Sequence, residues 1–160
     1  MQSDGTAYLN SQLISIVSAE LVGALSALVS GGKFREFFAA LEKPPFAPPA
    51  WLFPVAWAIL YALMGYSAYL IYIADSNGRN KALKIYAAQL FVNFLWSPVF
   101  FGMKSFIGGL IVIILLDITV AMMICAFSKV RKKSALINLP YMLWCIYATY
   151  LTAGIYMLNS

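Results

Sequence analysis

Five apolar stretches, each roughly 17 to 24 residues long, fill almost all of this 160-residue chain, with short basic or Pro/Gly-containing loops between them. A helix needs about 20 consecutive apolar residues to cross the hydrocarbon core of a bilayer. The stretches lie at about residues 12–30, 51–74, 82–102, 106–127 and 135–158. Each is too long for a membrane strand, and none alternates as the wall of a membrane barrel does. Backbone N–H and C=O groups in lipid must be paired within their own segment, which leaves helices. Of all residues 62% are hydrophobic and 11% charged, far from the balance of a water-soluble domain. The expectation is an all-α membrane protein: one five-transmembrane-helix bundle over residues 1–160, with almost nothing left for a soluble domain.

The cations orient the bundle. One side collects the N-terminus together with Arg79, Lys81, Lys84, Lys129, Arg131, Lys132 and Lys133; the other holds Lys33, Arg35, Lys43 and Lys104. The excess on the first side places the N-terminus inside and the C-terminus outside. Residues 1–11 are polar and lack Lys and Arg, unlike a secretory leader or an Arg-rich transit peptide, so the spans themselves direct insertion. The net charge of +5 comes from cations that flank spans. It fits topology and anionic lipid headgroups rather than a nucleic-acid partner. Cys125 and Cys145 fall in different spans and read as small packing residues.

Much chemistry is excluded. The chain has no histidine, which removes His-ligated haem, His-based zinc and every Ser-His or Cys-His nucleophile. There is no Gly-rich phosphate loop, and Gly108-Gly109 is a lone pair inside a span. No metal, no resident cofactor and no conventional catalytic residue is expected. Asp4, Glu36, Glu42 and Asp75 sit in tails or loops, but Glu20 and Asp117 lie near the middle of spans. A charge at that depth costs on the order of 3 kcal/mol or more. Either carboxyl is a proton or ligand contact facing a cavity, or a protonated group hydrogen-bonded to a neighbouring helix.

Ala19, Gly23, Ala27 and Gly31 recur every fourth residue and form a small-residue ridge on the first helix, against which another helix packs closely. Pro98 and Pro140 each remove a backbone hydrogen bond and are expected to kink the third and fifth spans.

The first loop reads Leu41-Glu42-Lys43-Pro44-Pro45-Phe46-Ala47-Pro48-Pro49, followed by Trp51 and Trp57. Its prolines forbid a continuous helix and give a stiff cap over the bundle. The third span carries Gln89, Asn93, Trp96, Ser97 and Pro98, then Phe100-Phe101-Gly102-Met103-Lys104; the fifth carries Pro140-Tyr141, Trp144, Ala148 and Leu151. Together these runs closely resemble the translocator protein family, also called tryptophan-rich sensory proteins or peripheral benzodiazepine receptors. The resemblance extends from about Gly23 to Tyr156.

That resemblance implies a five-helix bundle, usually a homodimer, with a ligand cavity beneath the first loop. Family members bind porphyrins such as protoporphyrin IX, and many bind sterols and synthetic isoquinoline carboxamide or benzodiazepine drugs. Matching cavity positions here are Ala27, Trp57, Tyr61, Asn93, Trp96, Trp144, Ala148 and Leu151, beneath a lid of Phe38, Pro44, Pro45, Phe46, Pro48 and Pro49. The spacings agree with shared faces: Asn93 and Trp96 are three apart, and Trp144, Ala148 and Leu151 form an i, i+4, i+7 stripe. A flat aromatic ligand needs ring faces, a small residue to admit it and a few polar groups to orient it. Aromatic stripes at helical spacing also build ordinary cores, and it is the family match that marks these positions as a site.

The chain departs from the family pattern in places. Phe37-Phe38 and Phe46 stand where the family commonly has Trp-Tyr and Trp, and Gly108 stands where mammalian members place a cavity Trp. No Lys or Arg follows Tyr156, so the sterol motif proposed for mammalian members is incomplete. That absence and the Phe-Phe-Gly-Met-Lys run suggest a prokaryotic cell membrane rather than the mitochondrial outer membrane.

Three functions are therefore carried forward. The first is a membrane receptor or carrier for porphyrin-like tetrapyrroles and hydrophobic drug-like molecules. The second is a light-dependent porphyrin-degrading enzyme using the cavity tryptophans, an activity reported for bacterial relatives. The third is a small proton or ion pathway through Glu20 and Asp117.

Overall fold

The structure, a computed structural model, describes the backbone of residues 2–160 and the side chains of residues 5–160. Seven α-helices follow one another among the described residues: α1 Gln2–Val29, α2 Phe34–Ala40, α3 Leu52–Tyr72, α4 Arg79–Ser97, α5 Phe106–Val130, α6 Lys132–Ile137 and α7 Leu139–Asn159. A π turn, Pro98–Gly102, extends α4. Five segments are long and apolar enough to cross a membrane: Gly5–Val29, Leu52–Tyr72, Arg79–Gly102, Phe106–Val130 and Lys132–Asn159. The chain is a multi-pass integral membrane protein built as a five-span bundle.

Several span boundaries differ from the hydropathy reading: the third span starts at Arg79 rather than 82 and the fourth runs to Val130 rather than 127, and two others have structural causes. α1 starts at Gln2 rather than near residue 12. Ala7, Tyr8 and Leu9 prolong its apolar run, and the Ser11 hydroxyl turns back onto the Ala7 carbonyl (3.0 Å) instead of breaking the helix. The fifth span starts at Lys132 and is interrupted at Asn138, between α6 and α7. Pro140 is then the second residue of a new helix, where a missing N–H costs little. Asn138 fills the break, donating to Ser134 O (2.8 Å) and to Ser67 Oγ on α3 (2.7 Å). Pro98 also interrupts its span as expected, forcing the wider π turn closed by the Met103 N–H on the Pro98 carbonyl (2.8 Å).

Around the bundle α3 packs on α1, α1 on α4, α4 on α5, α5 on α7 and α7 back on α3. α1 is the most peripheral span, with Leu9, Leu13, Val17, Leu21, Leu25 and Leu28 facing outward. Its small-residue ridge is used within the bundle: Ala19 is fully buried, and a Cβ on Gly23 would lie 2.2 Å from the Tyr61 ring of α3. One turn deeper, Gly65 of α3 lies against the α1 backbone at Ser15 and Ile16, and the Ser15 hydroxyl bonds the Gly65 carbonyl (2.7 Å). Ser26 ties α1 to α4 through the Phe94 carbonyl (2.7 Å), as does the Ser30–Ser97 hydroxyl pair (2.8 Å). α1 ends where Gly31 and Gly32 take positive φ (88° and 69°), the left-handed turn that stops a helix.

The proline segment after α2 is fastened to α7. Pro44 packs over Gly154, where a Cβ would fall 2.6 Å from its ring. Tyr147 and Tyr150 donate to the Phe46 and Pro45 carbonyls (2.7 and 2.9 Å), and Asn159 pairs with both the N–H and the carbonyl of Glu42 (3.0 and 2.8 Å).

The α1–α3 contact yields a first prediction. In Gly65→Ala the added Cβ would sit 2.5 Å from Ile16 Cα, with backbone rather than a flexible side chain in the way. Overpacking of this kind costs about 1–3 kcal/mol, so the thermal unfolding midpoint in detergent should fall clearly below wild type. Gly5→Ala, which meets nothing within 4 Å, should leave it unchanged or raise it slightly.

Candidate ligand cavity

A cavity of about 390 Å³ lies between α1, α3 and α4, within the range of drug-sized ligand sites. α1 contributes its small face, with Gly23, Ala24 and Ala27, and α3 contributes Phe53, Trp57 and Tyr61 at four-residue spacing. α4 adds Asn93, Trp96 and Ser97, while Phe34 of α2 and Phe101 of the π turn stand at the loop end. Small residues on one wall and broad ring faces on the others leave a slot suited to a flat apolar molecule.

The polar floor is tightly bonded. The Tyr61 hydroxyl donates to Asn93 Oδ1, and Asn93 Nδ2 donates to the Tyr141 hydroxyl (2.7 Å). Tyr141 in turn donates to Gln89 Oε1 (2.8 Å), and Gln89 ends the chain with a weak contact to the Met64 sulfur (3.7 Å). All of these residues are buried, so α3, α4 and α7 are joined by a polar chain inside an apolar bundle. Such a chain fixes geometry because each member left alone would be an unpaired polar group away from water.

Of the predicted site residues, Ala27, Trp57, Tyr61, Asn93 and Trp96 meet at this cavity. Trp144, Ala148 and Leu151 do not. Trp144 stands one layer behind, with its ring 5.9 Å from Phe53 and 6.4 Å from Trp57. Ala148 and Leu151 border a residual void of about 10 Å³ with Phe38, Phe53, Trp96 and Phe100, at most room for a single water. The space beside α7 is filled by rings: Phe38 stacks on Phe34 (5.6 Å) and meets Phe53 edge-on (5.1 Å), and Phe100 stacks on Trp96 (5.3 Å).

The lid residues also divide. Phe38 is buried in this ring cluster, whereas Phe46 is 90% exposed at φ 63° and points away from the bundle. Pro44 and Pro45 are engaged with α7, and none of Pro44, Pro45, Pro48 and Pro49 lines the cavity. Its loop end carries instead Ser30, Gly32, Phe34 and Phe101.

Glu20 lines the cavity, with no hydrogen-bond or ion-pair partner among the described residues. Asp117 lies apart, between α5 and α7, where the Thr149 hydroxyl donates to its Oδ2 (2.7 Å). It is the neighbouring-helix hydrogen bond allowed for it by the sequence. The wall residues Phe53, Phe34 and Phe101 were not picked out as a site beforehand. Phe53 carried a signal, because it extends the Trp57–Tyr61 spacing back by one turn. Among the described residues no group of three or more His, Cys, Asp or Glu is placed to hold a metal. What the lining does offer is ring faces and an Asn–Tyr polar pair.

Five spans around an aromatic-walled cavity with an Asn–Tyr floor define a membrane protein of the helical-bundle class. The model of the TspO/MBR family matches residues 15–158, and the chain belongs to that family. It is 37% identical over 149 residues to a tryptophan-rich protein of the archaeon Archaeoglobus fulgidus, covering 91% of this chain and 95% of that one. It is 40% identical over 124 residues to the tryptophan-rich sensory protein of Cereibacter sphaeroides (78% and 77% covered). To the translocator protein of Bos taurus it is 33% identical over 132 residues (80% and 78% covered). Archaeal, bacterial and mammalian relatives thus each align with more than three quarters of this chain.

The polar floor yields a second prediction. Tyr141→Phe keeps the ring and leaves the cavity lining untouched but strands Asn93 Nδ2 and Gln89 Oε1. A buried group left unpaired costs about 1–3 kcal/mol, so the unfolding midpoint should drop while cavity ligands still bind.

Proposed function

We propose that the protein is a membrane receptor or carrier that takes flat hydrophobic aromatic molecules, porphyrins of the protoporphyrin IX type among them, into the α1–α3–α4 cavity. The observation that carries this reading is the pairing of Trp57 and Trp96 with the Tyr61–Asn93 hydrogen bond on one cavity wall. Rings stack on the indoles, and the amide and phenol orient a polar edge. At about 390 Å³ the cavity holds a drug-sized ring system whole and a tetrapyrrole in part, with the remaining macrocycle at its mouth. A homodimer belongs to the same reading, and the size of the detergent-free particle tests it.

Light-dependent porphyrin degradation is a second reading. It is favoured by the position of two oxidisable indoles, Trp57 and Trp96, on the cavity wall. Illumination of the bound porphyrin separates the two: a product absent with free porphyrin supports the enzyme, and bleaching no faster than that of free porphyrin leaves the receptor.

The third prediction follows from the wall residues. Trp57→Leu removes a stacking face and should weaken protoporphyrin IX binding about tenfold, or about 1.4 kcal/mol. It is read from the porphyrin absorbance shift. Trp144→Leu, behind the wall, should change the affinity by no more than about twofold. An equal loss in both would move the ligand to the α7 side of Phe53.

A further inference from the structure

We propose that the cavity selects aromatic molecules bearing a cationic amine, and that Glu20 is the residue that sets this selectivity; the proposal rests on the binding reading above. Glu20 is the one charged side chain among the residues lining the cavity. It shares a face of α1 with Gly23, Ala24 and Ala27, at i+3, i+4 and i+7, and all of these line the same space.

The hydroxyl and amide groups of the lining are already engaged, and the indole N–H of Trp96 is buried without a partner among the described residues. The Tyr61 hydroxyl is bonded to Asn93, the Ser26 hydroxyl to the Phe94 carbonyl, and Ser30 to Ser97. Glu20 has no such partner, and no Lys or Arg lines the cavity. An ionised carboxylate at membrane depth is costly unless a cation or several donors meet it. The cavity lining supplies no counter-charge, so a cationic ligand would supply it and hold the carboxyl ionised, where otherwise protonation would neutralise it.

The surrounding rings favour the same sign. Trp57 and Tyr61 lie 5.6 Å apart beside Trp96, and the electron-rich faces of such rings attract ammonium groups, as in aromatic cages. A carboxylate among aromatic rings is a site for an amine joined to an apolar ring system. Anionic groups are repelled from it. Glu20 lies ten residues before Ser30, about 15 Å along the helix, which puts it below the reach of lipid headgroups. A tetrapyrrole carrying acidic side chains would keep them at the Ser30–Gly32 end, with its apolar edge toward Glu20.

The test uses a matched pair of probes, naphthalene carrying a trimethylammonium group and naphthalene carrying the isosteric tert-butyl group. Full-length protein in nanodiscs of uncharged lipid is titrated with each, and affinities are corrected for partition into empty nanodiscs. Wild type should prefer the ammonium probe by about tenfold or more. Glu20→Gln should erase that preference while leaving the tert-butyl affinity within about twofold. If wild type shows no preference, or Glu20→Gln retains it, the proposal falls, while tert-butyl binding leaves the cavity reading standing. If neither probe binds wild type, both readings fall. Should Glu20→Gln lose both probes, Glu20→Asp decides: a retained ammonium preference supports the assignment, and a lost one overturns it.

Discussion

Everything in this bundle depends on how closely α1 is allowed to approach α3. Lipid tails solvate an apolar helix as well as another helix does, so α1 gains little from hydrophobic burial and most of its leucines face outward. What holds it is backbone contact at Gly65, ring contact at Gly23 and the serine hydrogen bonds of residues 15, 26 and 30. Ser15, Gly23 and Gly65 hold α1 to α3, and Ser26 and Ser30 hold it to α4. The cavity lies between the same three helices, so the contacts that anchor α1 also set the width of the slot.

The floor of the slot is fixed differently. Tyr61, Asn93, Tyr141 and Gln89 come from three helices and satisfy one another in a place where no water competes. Two of them face the cavity and two lie behind it, so the polar floor is the visible end of a structural element. Glu20 stands opposite in kind: it lines the same cavity but takes no part in the network.

Much of this was legible in the sequence. The five spans follow from hydropathy alone, and the helix interruptions fall where Pro98 and Pro140 announced them. The family runs and helical spacing group Asn93, Trp96, Trp57 and Tyr61, and the structure brings these four to one cavity. The α7 wall was not, because whether Trp144, Ala148 and Leu151 meet a cavity depends on what fills the space before them. That filling comes from Phe34 and Phe38, carried on a short helix inside what reads as a proline loop, and from Phe53 and Phe100. Ring packing among three segments leaves no periodic trace in any one of them. Phe46 is misleading for a similar reason: its motif position suggests a lid, but a positive φ and the Tyr147 bond to its carbonyl turn the ring outward.

The proline segment has one more property. Proline carries no N–H, so this stretch is rich in acceptors and poor in donors. Within itself it makes the turn bonds Ala47 N–H to the Pro44 carbonyl (3.3 Å) and Leu52 N–H to the Pro49 carbonyl (3.0 Å). Its carbonyls are met by the phenols of Tyr147 and Tyr150, and its entry at Glu42 by the amide of Asn159, 117 residues away. The segment is joined by sequence to α2 and α3 but by hydrogen bonding also to α7, from Tyr147 to Asn159. These bonds couple it to the last helix. Loss of order at the C-terminal turn would therefore register first as slack in a loop near the opposite end of the chain.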